Sequence, residues 1–138
     1  MLSRSEVKVT TPDEPYVVIS ITNPGIAVAD VAISPYCRGI LRLQFHDISD
    51  DDQPLQGKQV MSEEEGRQVI AFFQTHAEKV GLIVCQCEAG VSRSAAVAAA
   101  LCRLLQGDDA HFFAGYSPNR WVYRTVLDAA GDTASNAA

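Results

Sequence analysis

The chain has 138 residues, of which 47% are hydrophobic and 20% are charged. This length and composition suit one folded domain with a single hydrophobic core and argue against a disordered chain. The formal net charge of −6 argues against general binding of nucleic acid and against an anionic membrane surface, because both need clustered Lys and Arg. We therefore expect neither nucleic acid nor membrane as a partner.

The ends of the chain and its thiols predict where the protein resides. The first residues carry no apolar segment of a signal peptide, and no uncharged apolar stretch is long enough to span a bilayer. The four cysteines form no Cys-x-x-Cys pair and no zinc-binding spacing. We therefore expect free thiols, the cytoplasm and no metal. Residues 131–138 are small and polar, which predicts a flexible tail after one domain over residues 1–130.

The first half of the chain contains two apolar runs that predict strands. A β-branched run at residues 16–21 and an apolar run at 40–45 both have the length and composition of strands. Residues 26–39 are ambiguous and remain unassigned. The acidic segment 47–52 follows the second run and is predicted as a loop.

The second half alternates between helical and strand patterns. Ser62 and Glu65 form a capping box that predicts a helix ending at Gly81, and a short buried strand follows at 82–85. Three more helices are predicted: residues 92–106, a short one within 108–116, and a last one opening at Ser117-Pro118. This order of elements predicts an α/β fold with a mainly parallel central sheet flanked by helices.

The segment Cys87–Ser94 joins the strand at 82–85 to the helix after it. A loop in that position can direct successive backbone N–H groups at an anion, and the helix N-terminus adds partial positive charge. Gly90 permits a backbone conformation that a residue with a Cβ resists. Such a cup suits a tetrahedral oxyanion such as phosphate. We predict these phosphate-binding residues: Glu88, Ala89, Gly90, Val91, Ser92 and Arg93.

Two side chains make this loop a candidate reactive site. Cys87 stands at the strand end, where amide dipoles, the helix terminus and Arg93 all favour the thiolate. Cysteines in such settings have a pKa of roughly 3.5 to 7.5, against about 8.5 for a free cysteine. The planar fork of Arg93 can hold two phosphate oxygens at once. We predict Cys87 as nucleophile and Arg93 as phosphate clamp.

The pattern Cys-x-x-Gly-x-x-Arg followed by Ser resembles the signature loop of the protein tyrosine phosphatase superfamily, and the short chain resembles its compact dual-specificity branch. The resemblance covers most of residues 16–130 and implies a phosphotyrosine protein phosphatase-like fold. It also implies a phosphocysteine intermediate on Cys87, phosphate binding by Arg93, a Ser94 hydroxyl that eases departure of the thiolate, and no cofactor. One position departs from the family, since Gln86 stands where members usually carry His.

Cleavage of a phosphate ester also needs a proton for the leaving oxygen. In the related enzymes an Asp on the loop after an earlier strand supplies it. Asp47 directly follows the strand at 40–45 and is our first choice. Asp50, Asp51 and Asp52 are competitors on the same loop. A depressed thiol pKa and a raised carboxyl pKa would give a bell-shaped pH dependence of kcat/KM.

Other residues near the loop have alternative interpretations. We expect Cys85 on the opposite side of the strand from Cys87, as a small core residue. The alternative is a resolving thiol that protects oxidised Cys87 by a disulfide, with Cys102 and Cys37 as other partners. Asn119 at the start of the last helix is a candidate brace for the signature loop, as the resemblance suggests.

Three functions remain open at this point. The first is hydrolysis of phosphotyrosine or a related phosphate ester, in a phosphorylated protein or a small molecule. The second is a non-catalytic phospho-ligand binding domain, and the third is a rhodanese-like or thiol redox enzyme. Cys87, Arg93 and Ser94 together favour the first, because binding alone needs no nucleophile and an Arg followed by Ser suits phosphate.

Overall fold

Three parallel strands form the centre of the molecule. The computed structural model describes residues 1–48 and 57–137, with side chains described as far as Gly131. The strands are β1 (Tyr16–Thr22), β2 (Cys37–Gln44) and β3 (Leu82–Gln86), in the sheet order β2-β1-β3. All seven residues of β1 are buried, as a continuous β-branched run predicts for a central strand covered on both faces.

The parallel arrangement determines which segments meet. β1 pairs in parallel with β2 on one side and with β3 on the other, so the carboxyl ends of all three strands lie at one edge of the sheet. Asn23 follows β1, Phe45 follows β2 and Cys87 follows β3. Ligands of open α/β sheets bind outside this edge. Cys87, the predicted nucleophile, therefore lies at the edge where such ligands bind.

Helices cover the sheet. Those in the described residues are α1 (Arg4–Val7), α2 (Glu63–His76), α3 (Arg93–Gln106), α4 (Ala110–Gly115) and α5 (Arg120–Ala137). The main core joins α2, α3 and α5 to the sheet through residues such as Val69, Val97 and Val122. A smaller cluster around Tyr16 and Val84 lies apart from it and includes Val7 of α1. The predicted α/β fold with a parallel sheet flanked by helices is confirmed.

Local interactions explain most helix ends. Ser62 Oγ accepts from the Glu65 N–H at 3.1 Å, and Glu65 Oε1 accepts from the Ser62 N–H at 2.9 Å, which is the predicted capping box of α2. Gly107 ends α3 in the left-handed conformation at φ 77°. By contrast α2 ends at His76, before the predicted end at Gly81. After His76 the chain turns, with Lys79 N–H donating to His76 O, and Gly81 N–H donates to Pro15 O just before β1.

The beginning of the chain has more structure than its sequence suggests. Leu2 forms a parallel bridge with Gln86: its N–H donates to Cys85 O at 2.9 Å, and its carbonyl accepts from Cys87 N–H at 3.3 Å. A single turn of helix, α1, follows. At the other end, α5 continues through residue 131 to Ala137, and the predicted division into a domain and a flexible tail stays a prediction. None of the helices in the described ranges combines the length and apolar composition that a bilayer crossing requires.

Candidate active site

Cys87 lies at the floor of the signature loop and is almost completely buried. Its Sγ accepts from the Gly90 N–H at 3.2 Å and lies 3.2 Å from Ser94 Oγ. The loop thus curls around the sulfur, with a hydroxyl and backbone donors directed at it. The role of this loop as an oxyanion cup stays a prediction.

The surroundings of Cys87 favour its thiolate. Burial alone would raise the pKa of the thiol, since an anion loses hydration there. Hydrogen bonds from the Ser94 hydroxyl and from the amides of Ser94, Gly90 and Ser92 outweigh that burial, and the pKa of Cys87 is lowered. Cys85 has no such donors, and burial raises its pKa to about 12. The thiol pKa is therefore lowered at Cys87 and raised at Cys85, only two residues away.

Gly90 is required by close packing as well as by its backbone angle. Its φ is +78°, and a Cβ at this position would lie 2.8 Å from Leu2 C and 2.9 Å from Ser3 N. Those are main-chain atoms that cannot easily move away. The N-terminal segment therefore forms one wall of the loop, which the sequence pattern did not indicate.

Arg93 is the first residue of α3 and is only 4% exposed. Its Nη1 donates to Asn23 Oδ1 and to Phe45 O, both at 2.7 Å. Its Nε is buried and has no hydrogen-bond partner among the residues that the structure describes. No ion pair joins Arg93 to a carboxylate within residues 1–48 and 57–131. Two acceptors therefore hold the guanidinium at Nη1, while the Nε donor remains unsatisfied.

Asp47 lies beside the loop, with its carboxylate exposed. Its Oδ1 accepts from Ser92 Oγ at 2.8 Å and from Asn119 Nδ2 at 2.7 Å. The Ser92 hydroxyl consequently does not cap its own helix: α3 begins without a side-chain cap. The competing residues Asp50, Asp51 and Asp52 lie outside the described residues. Asp47 as the proton donor stays a prediction.

Asn119 connects three parts of the site. Its N–H donates to Ser92 O at 3.1 Å, and its Nδ2 donates to Asp47 Oδ1 and to Ile48 O at 3.0 Å. Its Oδ1 accepts from Val122 N–H at 3.1 Å and so caps α5. Every polar group of this side chain is used. The residue contacts the signature loop, as expected of a brace, and also contacts the acid-bearing segment.

Gln86 stands directly before the loop, at the position where the resemblance implies a histidine. It is fully buried. Ser20 Oγ donates to its Oε1, and its Nε2 donates to Cys87 O at 3.0 Å. The amide thus uses both its acceptor and its donor to connect β1 to the first residue of the loop. The substitution leaves the start of the loop anchored.

The remaining loop residues face outward or toward the N-terminal segment. Glu88 pairs with Arg4, 3.2 Å between Oε1 and Nη1, and its carbonyl accepts from the Arg4 N–H at 3.1 Å. The side chains of Ala89 and Val91 are exposed, so these residues can offer only main-chain donors to an anion. Val91 O accepts from Ser117 N–H at 3.1 Å. The predicted contribution of these residues through their backbone remains a prediction.

The expected separation of Cys85 and Cys87 across the strand is wrong. Both pack in the same core cluster, because residues two apart in a strand point to the same side. Cys37 and Cys102 are half-buried free thiols, and Cys102 Sγ lies 3.7 Å from Gln106 Oε1 on its own helix. In the part of the chain that the structure describes, no group of three or more His, Cys, Asp or Glu could hold a metal ion.

Sequence reasoning did not single out Asn23, Leu2 or Arg4. Asn23 had an available signal, because it stands directly after a predicted parallel strand, where ligand-facing residues collect. Leu2 and Arg4 had none, since their contacts with the loop depend on how the N-terminal segment docks beside β3.

A cavity of about 790 Å³ lies away from this loop, between α2 and α5, with Met61, Arg67 and Trp121 in its lining. None of the predicted site residues lines it. The candidate site is thus identified by the side chains and hydrogen bonds of the loop, and not by a cavity.

Comparison with known proteins supports the fold. No family model matches the sequence, and no curated protein matches it. The structure is similar to the crystal structure of human tyrosine phosphatase-like serine/threonine/tyrosine-interacting protein, with a TM-score of 0.56 and 16% sequence identity. The similarity covers 86% of this chain and 78% of that chain. At this identity it shows the fold alone: the chain has a tyrosine phosphatase-like fold.

Proposed function

We propose that the chain is a cysteine-dependent phosphatase, of the protein-tyrosine or dual-specificity type, which hydrolyses phosphate monoesters through a phosphocysteine on Cys87. The observation that carries the proposal is the state of Arg93. Among the residues that the structure describes, no carboxylate pairs with Arg93. A buried charge without a counterion is destabilising, and a buried N–H without an acceptor costs about 1–3 kcal/mol. A bound phosphate would satisfy both the charge and the free Nε.

The lowered pKa of Cys87 supports a nucleophile at the same place. In the first step the thiolate attacks phosphorus, an S–P bond forms and the ester P–O bond breaks. The leaving oxygen takes a proton from Asp47. The loop amides and Arg93 bind the phosphoryl oxygens, where negative charge must be held throughout the transfer.

In the second step water attacks the phosphorus of the phosphocysteine. The Asp47 carboxylate takes the proton of that water, the S–P bond breaks, and inorganic phosphate leaves. Cys87 departs as a thiolate. The Ser94 hydroxyl, 3.2 Å from the sulfur, stabilises this anion by donating to it and so makes sulfur a better leaving group.

The substrate in this proposal is a phosphorylated protein or a small phosphate ester. A reducing compartment such as the cytoplasm fits a mechanism that needs a free thiolate. No cofactor enters either step. The chain's net charge of −6 means that attraction of the substrate must be local, from Arg93 and the amides that surround the cup.

Turnover of p-nitrophenyl phosphate tests the proposal. We expect the wild-type protein to turn it over, to be inhibited by vanadate, and to lose activity to background in Cys87→Ser. Cys102→Ser is the matched control, because Cys102 lies on the far half of α3 and should leave activity unchanged. Turnover that survives in Cys87→Ser would contradict the mechanism.

A second candidate is a phospho-ligand binding domain without turnover. The name of the similar structure, a tyrosine phosphatase-like interacting protein, favours it, and the oxyanion cup would serve binding as well. Vanadate binding without turnover would support this candidate. If the protein shows neither turnover nor oxyanion binding, a rhodanese-like or thiol redox enzyme becomes the remaining candidate.

A further inference from the structure

The guanidinium of Arg93 is held by two uncharged acceptors. Nη1 donates to the side-chain oxygen of Asn23 and to the main-chain oxygen of Phe45, both at 2.7 Å. A carboxylate would be a stronger partner for a guanidinium, because its charge strengthens the hydrogen bond. An amide and a carbonyl can fix the orientation of the group without cancelling its charge.

The acids near the loop are occupied by other donors. Asp47 Oδ1 accepts from Ser92 and Asn119, and Glu88 pairs with Arg4. Of the residues that the structure describes, none pairs a carboxylate with Arg93. In a chain with excess negative charge, this arrangement preserves one locally uncompensated cation.

Asn23 is itself well fixed. It directly follows β1, and its carbonyl accepts from Gln44 Nε2 on β2 at 3.4 Å. Its side chain is half-buried, and Pro24-Gly25 turns the chain away immediately after it. The amide oxygen is therefore presented to Arg93 from the carboxyl edge of the sheet, the same edge that carries Cys87.

We infer that Asn23 is a positioning residue for the oxyanion site, and that its neutrality matters as much as its hydrogen bond. It orients Arg93 so that Nε remains available for the phosphate, and it adds no negative charge that would compete with the phosphate for the guanidinium. The inference rests on the proposed function, since it assumes that an oxyanion binds beside Arg93.

Asn23→Asp and Asn23→Ala separate charge from hydrogen bonding. Asn23→Asp retains an acceptor of the same size but gives Arg93 a counterion, so we expect inorganic phosphate and vanadate to bind at least tenfold more weakly. Asn23→Ala removes the acceptor and adds no charge, so its loss of affinity should be smaller. Binding is measured by calorimetry and by competitive inhibition. A merely structural hydrogen bond predicts the reverse order, with the aspartate variant closer to wild type.

Controls make each outcome interpretable. Gln74→Glu adds the same charge on the exposed face of α2 and should leave phosphate affinity unchanged. Thermal melting checks folding, and if Asn23→Asp does not fold, the longer pair Asn23→Gln and Asn23→Glu makes the same comparison. An aspartate or glutamate variant that binds phosphate as tightly as its neutral counterpart would overturn the inference alone. A wild-type protein that binds no oxyanion would instead overturn the proposed function.

Discussion

Asn119 donates a 2.7 Å hydrogen bond to Oδ1 of Asp47, a residue 72 positions earlier in the chain. The Ser92 hydroxyl donates to the same oxygen at 2.8 Å. Both donors use Oδ1, so Oδ2 is the oxygen on which we expect the transferable proton. The carboxyl group is thereby fixed to the signature loop on one side and to the start of α5 on the other.

In the proposed mechanism, replacement of Asp47 by Asn removes the proton donor and keeps the shape of the side chain. We expect kcat to fall by about 10²–10⁴, the usual contribution of a general acid, with a larger loss for alkyl phosphates than for p-nitrophenyl phosphate. The reason is that a good leaving group needs little protonation. Activity that depends on the protonated acid declines as pH rises, so the alkaline limb of the kcat/KM profile should disappear in this variant.

Asp128→Asn is the control for this experiment, because Asp128 is exposed on α5 away from the loop. It should retain the complete profile. A full alkaline limb in Asp47→Asn would instead show that another group donates the proton.

Gly90→Ala should damage the site more than an ordinary glycine replacement. Gly25 and Gly90 both have positive φ, 83° and 78°, and alanine in that region costs on the order of 1 kcal/mol at either position. Only at Gly90 would the new Cβ meet main-chain atoms, those of Leu2 and Ser3 within 3.0 Å, whereas Gly25 has open space. We expect a markedly lower unfolding free energy for Gly90→Ala in urea titrations.

The same pair of variants also tests catalysis. The Gly90 N–H donates to Cys87 Sγ, so movement of the loop should lower the proposed turnover of p-nitrophenyl phosphate in Gly90→Ala and not in Gly25→Ala. If the two variants lose equal stability and have equal activity, the main chain at Leu2 and Ser3 moves to accommodate the added methyl group.

The parts of the site that the sequence predicts are those with local causes. The loop from Cys87 to Ser94 follows from a buried strand, a glycine and a helix start that are consecutive in the chain. The end of α3 at Gly107 likewise follows from one residue in the left-handed conformation. Patterns over a few neighbours are sufficient for such features.

The contacts that complete the site depend on parallel pairing and could not be predicted from such patterns. Asn23 meets Arg93 only because β1 lies beside both β2 and β3. Leu2 reaches Gly90 only because the N-terminal segment extends alongside Gln86. The placement of Cys85 is different, because it depends only on strand alternation: residues two apart in a strand lie on the same side, and Cys85 and Cys87 pack in one core cluster.

Gln86 and Ser20 should behave as a coupled pair. Gln86→Leu would leave the buried Ser20 hydroxyl and the Cys87 carbonyl without their partner, and each unsatisfied group costs about 1–3 kcal/mol. Ser20→Ala in the Gln86→Leu background should then be much less destabilising than Ser20→Ala in the wild type. A double-mutant cycle by urea unfolding measures the coupling. Additive effects would indicate that the two side chains act independently.

Cys85 should make the protein sensitive to alkali. Burial raises its pKa to about 12, against about 8.5 for a cysteine in an unfolded chain. A group whose pKa is raised on folding stabilises the native state fully below the unfolded value, and that stabilisation is lost as pH rises toward the folded value. The loss approaches about 1.4 kcal/mol per pH unit once unfolded cysteine is ionised. Cys87, with a lowered pKa, has the opposite sign and loses its contribution as pH falls.

Urea unfolding from pH 7.5 to 10.5 under reducing conditions isolates the effect of Cys85. Cys85→Ala should be less stable than the wild type at pH 7.5, because it leaves a small cavity in the core. Its unfolding free energy should then decline less steeply above about pH 9, since the thiol that ionises on unfolding is gone. Lysine and tyrosine titrations are common to both proteins and cancel in the difference. Parallel curves over the whole range would mean that Cys85 ionises as readily in the native protein as in the unfolded chain.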